Sequence, residues 1–296
     1  MAATKTIVLI TGANSGIGFE LAAQLTARGS YHVLMGVRSM QKGKAALAQL
    51  QSRNLPGTPE LLHLDVTDDE TIHRAAETVD KAHGKLDILI NNAAIVSAAP
   101  TLRGKLQKEF DTNATGPAVV TESFAPLLRK STGSPRIINI SSGAGSIARR
   151  LDPSSVLYKV PGLQYRVSKA ALNMITACQW VEYGPAVKVF AYDPGFTQSN
   201  LSERNTAENG AKPADEAVRP LIDVLEGKRD DEVEELRQTL DYMVPDDNQC
   251  MISLGKNCLA SLSIAQYSHG IHLLPMHRKL LTSVIGRNVS IPISRT

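Results

Sequence analysis

Short apolar, β-branched runs alternate with amphipathic stretches through the first two-thirds of the chain. Strands are expected at 6–10 (TIVLI), 31–37 (YHVLMGV), 60–64 (ELLHL), 86–91 (LDILIN), 136–140 (RIINI) and 187–192. Helical spacing is expected over about 16–27, over 42–51 with Ala45, Leu47 and Leu50 as its apolar positions, over 68–83 and over 163–183. Thr67 and Asp68 are capping candidates for the third of these helices. A long helix is expected over 105–128, bent near Gly116-Pro117. Trp180 and Met174, on the 163–183 helix, are read as packing residues. Near-continuous apolar strands separated by helices indicate an α/β fold: a Rossmann-type, doubly wound parallel sheet covered by helices on both faces, as a single domain. Right-handed crossovers bring the strand ends to one edge of such a sheet, where ligands bind.

The pattern fades toward the C-terminus. A last helix fits 213–226, and residues 230–247 then hold eight acidic side chains and one basic. The expected division is a dinucleotide-binding catalytic domain over 1–229 and an atypical extension over 230–296, serving as a lid or an oligomer element or being poorly ordered. A seventh strand has two candidates, 251–254 and 285–293.

Composition narrows the class. Of 296 residues 43% are hydrophobic and 21% charged, ordinary for a globular protein, and the net charge of +3 is too mild and too evenly spread to argue for nucleic acid. No stretch approaches the ~20 apolar residues of a membrane span. The N-terminus runs straight into a strand without a signal-peptide layout, and Ser294-Arg295-Thr296 is not a peroxisomal address. Cys178, Cys250 and Cys258 make no disulfide framework, so a reducing, cytoplasmic location is the default. His269, His272 and His277 fit no standard zinc spacing, and no metal is expected.

The candidate chemistry starts at Thr11-Gly12-Ala13-Asn14-Ser15-Gly16-Ile17-Gly18, which follows the first strand and opens the first helix, the context of a dinucleotide-binding turn. There Gly12 permits the turn, Gly16 lets backbone approach a pyrophosphate, and Gly18 lets helix pack on sheet; the N–H groups of Asn14, Ser15 and Ile17 face the phosphates. The second strand ends at Val37-Arg38-Ser39 with no acidic residue to hold an adenosine ribose. The Arg38 guanidinium suits a 2′-phosphate instead, which favours NADP (NADPH) over NAD. Asp65 can meet the adenine edge, with Val66 beside it, and Asn92 and Ala93 follow the fourth strand where the cofactor lies close to backbone. Asn91 has the alternative of stabilising the end of the sheet. Downstream, Tyr165 and Lys169 lie four apart on one helix face, where the ammonium is expected to pull the phenol pKa down and make Tyr165 a proton donor.

Seven segments in order carry a resemblance: TGANSGIG at 11–18, LDVTD at 64–68, NNAA at 91–94, TNATG at 112–116, NISSGAG at 139–145, YRVSK at 165–169 and DPGFTQSN at 193–200. Over roughly 5–228 the chain resembles the short-chain dehydrogenase/reductase family. The resemblance implies a catalytic tetrad of Asn113, Ser142, Tyr165 and Lys169, with Ser142 rather than Ser141 as the serine. It implies that Ser142 hydrogen-bonds the substrate oxygen, Tyr165 transfers the proton, Lys169 also grips the nicotinamide ribose, and Asn113 holds a water leading to solvent. Pro194, Gly195 and Thr197 would meet the nicotinamide carboxamide. It implies small-molecule carbonyl or alcohol substrates and, often, homodimers or homotetramers joined through the helices at 105–128 and 163–183.

Two departures stand out. Ser142 and Tyr165 are separated by more chain than the family usually has, and the extra segment around 148–162 carries Arg149, Arg150, Asp152, Pro153 and Tyr158. Tyr158 is not the acid, because Gly162 stands where its lysine would be. The second departure is the tail. The leading expectation is an NADP-dependent oxidoreductase exchanging hydride with a ketone, aldehyde or secondary alcohol, mostly apolar. A cofactor-binding protein with little redox activity (a sensor or assembly partner) and a dehydratase or isomerase on the same site are the alternatives.

Overall fold

The computed structural model describes residues 5–184, 186–230 and the strand Met251–Ser253. The sheet and its helices belong to one compact unit, Met1–Cys258. The strands are β1 (Thr6–Thr11), β2 (Tyr31–Val37), β3 (Thr58–His63), β4 (Ile88–Asn91), β5 (Arg136–Ile140), β6 (Lys188–Tyr192) and β7 (Met251–Ser253). The helices are α1 (Gly16–Ala27), α2 (Met40–Gln51), α3 (Asp69–His83), α4 (Leu102–Phe110), α5 (Gly116–Arg129), α6 (Ile147–Leu151), α7 (Leu163–Tyr183) and α8 (Ala214–Leu225).

The sheet order is β3-β2-β1-β4-β5-β6-β7, with six parallel strands and β7 antiparallel to β6. The alternating strand–helix pattern thus gives the doubly wound sheet expected of it. Successive residues of a strand point to opposite faces, and both faces are buried. Val8, Ile10, Val33 and Ile138 pack under Leu21, Leu25 and Leu221 on one side; Leu9, Leu34, Leu89 and Ile137 pack under Ile72, Val79, Phe124 and Leu128 on the other.

Several local expectations need correction. The expected single helix over 105–128 is two helices joined by a π-helical turn, Asp111–Thr115. Pro117 lies in the first turn of α5 and has no N–H to give the Asn113 carbonyl four residues back, so the ladder shifts register there. In α2 the buried positions are Gly43, Ala46 and Leu50, with Ala45 exposed. Met174 is 66% exposed and does not pack in the core, whereas Trp180 packs against it partly buried. Asp68 caps α3 as expected, its carboxylate accepting from the Glu70 and Thr71 N–H groups.

The seventh strand is β7, within the first of the two candidate segments; 285–293 lies outside the described residues. It pairs with Phe190–Tyr192, so the sheet draws on chain beyond the expected boundary at 229. Asp230 is also tied inward, to the buried guanidinium of Arg136 and to Lys188.

Candidate active site

Parallel strands deliver their C-terminal ends to one edge, and the sequence-predicted residues gather there. Behind them, Asn91 donates to Asn139 (2.8 Å) and Thr121 (3.0 Å), and Asn139 donates to Thr176 and Gln179. This buried chain joins β4 and β5 to α5 and α7, so Asn91 is a brace of the sheet's end, its alternative reading. It holds the helix carrying Tyr165 in register with β5, which leads into Ser142.

At the end of β5 the two serines separate. Ser141 bonds Asn173 of α7, while the Ser142 hydroxyl accepts from the Ala144 N–H and lies near enough to the Tyr165 hydroxyl to draw its pKa down. Lys169 is 2% exposed; its Nζ donates to the Ile140 carbonyl at 2.8 Å and lies 5.8 Å from the centre of the Tyr165 ring. The structure therefore brings Ser142, Tyr165 and Lys169 together on one edge.

The expectation of a depressed Tyr165 pKa is corrected. Burial pushes the phenol above its ordinary value, the Asp193 charge adds to this, and the Ser142 hydroxyl opposes it. Lys169 sits over the ring and bonds a backbone carbonyl, so its charge is not aimed at the hydroxyl. Burial lowers the lysine itself to about 8, against the opposing pull of Asp193.

Asn113 is fully buried in the π turn. Its amide spans two elements, exchanging hydrogen bonds with the Ile95 backbone (2.8 and 2.9 Å) and donating to Ser168 Oγ at 3.1 Å. Its side chain is thus committed to anchoring the loop after β4. One turn earlier, Glu109 is also fully buried; it accepts from the Ser97 N–H at 2.8 Å and meets Gln164, and burial raises its pKa. Sequence reasoning missed Glu109. The signal was present, since a residue four before Asn113 on a helix shares its face.

The segment between Ser142 and Tyr165 is pinned by arginines. Arg166 donates to the carbonyls of Ala144, Leu157 and Val160, and Arg150 to those of Tyr158 and Val160. Arg149 Nη1 lies 4.0 Å from Asp193, whose two oxygens accept from the Gly143 and Gly195 N–H groups. Asp193 thereby ties the end of β6 to the turn holding Ser142.

The glycine turn has the shape a dinucleotide requires. A Cβ on Gly18 would come 2.5 Å from Asn92 Nδ2 and 2.7 Å from the Gly12 carbonyl. Gly16 has φ +54°, with Ser199 packed against it. Ser15 is the N-cap of α1 but makes no side-chain capping bond, and no acidic residue occupies the first turn, leaving the N-terminal N–H groups for an anion. Asn92 donates to the Thr11 carbonyl at 2.8 Å, and the N–H groups of Asn92 and Ala93 both donate to Thr11 Oγ1, clamping the turn to β4. Asn14 and Ile17 sit in the same turn, each partly exposed.

Arg38 is exposed at the end of β2 and makes no hydrogen bond or ion pair among the described residues. Asp65 uses one carboxylate oxygen on Thr67, the other having no hydrogen-bond partner among the described residues, and Val66 is buried against Gly116. Past β6, Thr197 is buried and turns its hydroxyl back onto the Pro194 and Gly195 carbonyls, closing the turn in which Gly195 has φ +70°.

Among the described residues, no helix is long and apolar enough to cross a membrane. The chain matches the short chain dehydrogenase family model over residues 6–210. It is 41% identical over 231 residues to the short-chain dehydrogenase anuI of Penicillium roqueforti, covering 75% of this chain and 88% of that one. It is 36% identical over 254 residues to the short-chain dehydrogenase/reductase tropE of Talaromyces stipitatus, covering 77% and 93%. Among solved structures it is similar to the NADPH-bound carbonyl reductase from chicken fatty liver, with TM-score 0.61 and 30% identity over 74% of this chain and 86% of that one. The fold, the collinear motifs and these relatives together show that the chain belongs to the short-chain dehydrogenase/reductase family of oxidoreductases.

Proposed function

We propose that the protein is an NADP-dependent carbonyl reductase in which Tyr165 is the acid, Ser142 the second hydrogen-bond donor and Lys169 the buried cation beneath them. The observation that carries this reading is the convergence of Ser142 and Tyr165 with Lys169 at the ring face. The glycine turn, the α1 N-terminus, Arg38 and the second carboxylate oxygen of Asp65 fit the pyrophosphate, the 2′-phosphate and the adenine. Pro194, Gly195 and Thr197 fit the carboxamide end. The bound nicotinamide supplies the hydride. Hydride arrival at a carbonyl carbon places negative charge on the oxygen, and the two hydroxyls stabilise it while Tyr165 gives up its proton. The Asn113 amide being committed, a water between it and Lys169 would be held by the Asn113 carbonyl, which Pro117 leaves without its helical donor.

A raised Tyr165 pKa suits this direction, because the phenol stays protonated and able to donate through the neutral range. Lys169 is protonated below about 8 and neutral above it. Reduction is therefore expected to fall by about tenfold per pH unit once Lys169 deprotonates. A panel of ketones and aldehydes assayed by NADPH absorbance, with NADH alongside, tests the whole reading. If the protein binds NADPH and no carbonyl consumes it, the reductase assignment fails and the cofactor-binding alternative stands; a product of unchanged hydrogen count identifies an isomerase or dehydratase.

An apolar substrate is favoured by Val96, Ile147, Leu151, Val156 and Phe196, exposed apolar side chains on the three segments around the site. The Arg166 clamp makes the 146–162 segment part of that wall. Arg166→Ala is expected to raise KM for the carbonyl severalfold while NADPH affinity stays within about twofold, because the arginine bonds backbone carbonyls of that segment, at Leu157 and Val160, and of the turn just before it, at Ala144. Equal losses in both would remove the segment from the substrate's side. A second copy of the chain docking on α7 is favoured by the exposed Val167, Met174 and Val181.

A further inference from the structure

The opposite edge of the sheet holds a second cluster. His32 lies near the start of β2, Glu60 in the neighbouring edge strand β3, and His83 at the end of α3. Register explains two of them: His32 pairs with Thr58 and Leu34 with Glu60, so both residues point to the face that α3 covers. Helical period explains the third: Ile72, Ala75 and Val79 form the buried stripe of α3, and His83 continues it one turn on. Glu60 Oε2 is 2.9 Å from His32 Nε2 and 3.8 Å from His83 Nε2, and the imidazole centres are 4.8 Å apart.

We infer that His32, Glu60 and His83 form a binding site for a late first-row divalent cation, zinc being the fitting case. One donor atom from each residue lies within 4.8 Å of the others. Tetrahedral zinc with bonds of about 2.0–2.1 Å sets its ligands roughly 3.3 Å apart, so small side-chain rotations complete the set. Two imidazoles with one carboxylate is a donor set zinc takes, and a fourth position remains for water. The histidines are each less than a fifth exposed, while Glu60 is 48% exposed and opens the way from solvent. Three elements distant in sequence supply the three ligands, so the ion would fasten the edge strand to its neighbour and to α3. The site lies a strand's length, about 20 Å, from Arg38 and the nicotinamide edge, which makes its role structural rather than catalytic.

The test uses the full chain, stripped with a chelator and dialysed. Zinc chloride titrated by calorimetry is expected to bind at one site per chain with micromolar or tighter affinity. Saturation should raise the melting temperature by about 5 °C. Cobalt(II) in its place should give the visible absorption of a low-symmetry site with nitrogen ligands. His83→Gln and Glu60→Gln, conservative changes at partly exposed positions, should each weaken zinc binding at least tenfold and abolish the cobalt spectrum. If the wild type binds no zinc, or if both variants bind as it does, the assignment is overturned. The latter result would place the ion on other histidines or cysteines and leave this cluster a His32–Glu60 hydrogen bond with His83 beside it.

Discussion

Replacing Tyr165 by phenylalanine is expected to lower kcat for carbonyl reduction by about a thousandfold or more, with NADPH affinity within about twofold. A positioned general acid contributes roughly 10²–10⁴ in rate, and in the proposed mechanism this hydroxyl is also one of the two donors to the developing oxyanion. A loss of that size is about 4 kcal/mol of transition-state stabilisation. The fold should survive, because the hydroxyl's neighbour is Ser142 and the ring remains to pack against Lys169. Losing even a full hydrogen bond there would cost about 1 kcal/mol. Single-turnover kinetics with fluorescence titration of NADPH separate the two effects. Turnover near the wild-type level would show that the proton comes from elsewhere.

Arg38→Glu is expected to weaken NADPH binding by about a hundredfold or more while leaving NADH affinity unchanged or improved. Among the described residues the guanidinium has no hydrogen-bond or ion-pair partner, and it is exposed. Two charge-assisted hydrogen bonds to a 2′-phosphate are worth about 3 kcal/mol together, which corresponds to about a hundredfold in Kd. The new carboxylate would repel the phosphate and suit ribose hydroxyls instead. The ratio of the two dissociation constants, measured on the same preparation, decides the matter; an unaltered ratio would show that Arg38 does not read the phosphate.

Much of this molecule is legible before folding because its information is local. A strand, a glycine turn and a helix in succession place the N–H groups of residues 14–17 without reference to the rest of the chain. Tyr165 and Lys169 share a helix, and Ser142 lies two residues past the end of a strand. The failures concern what local order cannot encode. Lys169 was expected to act on the phenol because of its spacing, yet its Nζ is spent on the Ile140 carbonyl, a partner from another element. Met174 has core chemistry but faces outward, because the face of α7 toward the sheet is filled by Leu172, Thr176 and Gln179. The sequence predicts a bend near Gly116-Pro117 where the structure has a π turn at Asp111–Thr115, since proline marks where a helix is disturbed but not how the disturbance spreads backward. The Arg149–Asp193 pair and the His32–Glu60–His83 cluster join residues far apart in the chain, and only the sheet order brings them together.

The three residues of β7 have a consequence out of proportion to their length. They occupy one flank of β6, where Phe190–Tyr192 would otherwise offer bare amide and carbonyl groups to any passing chain. Ending the chain shortly after α8 and Asp230 would remove that plug while keeping the core. The shortened polypeptide would be prone to zip onto copies of itself along this seam and polymerise, even with every catalytic group intact.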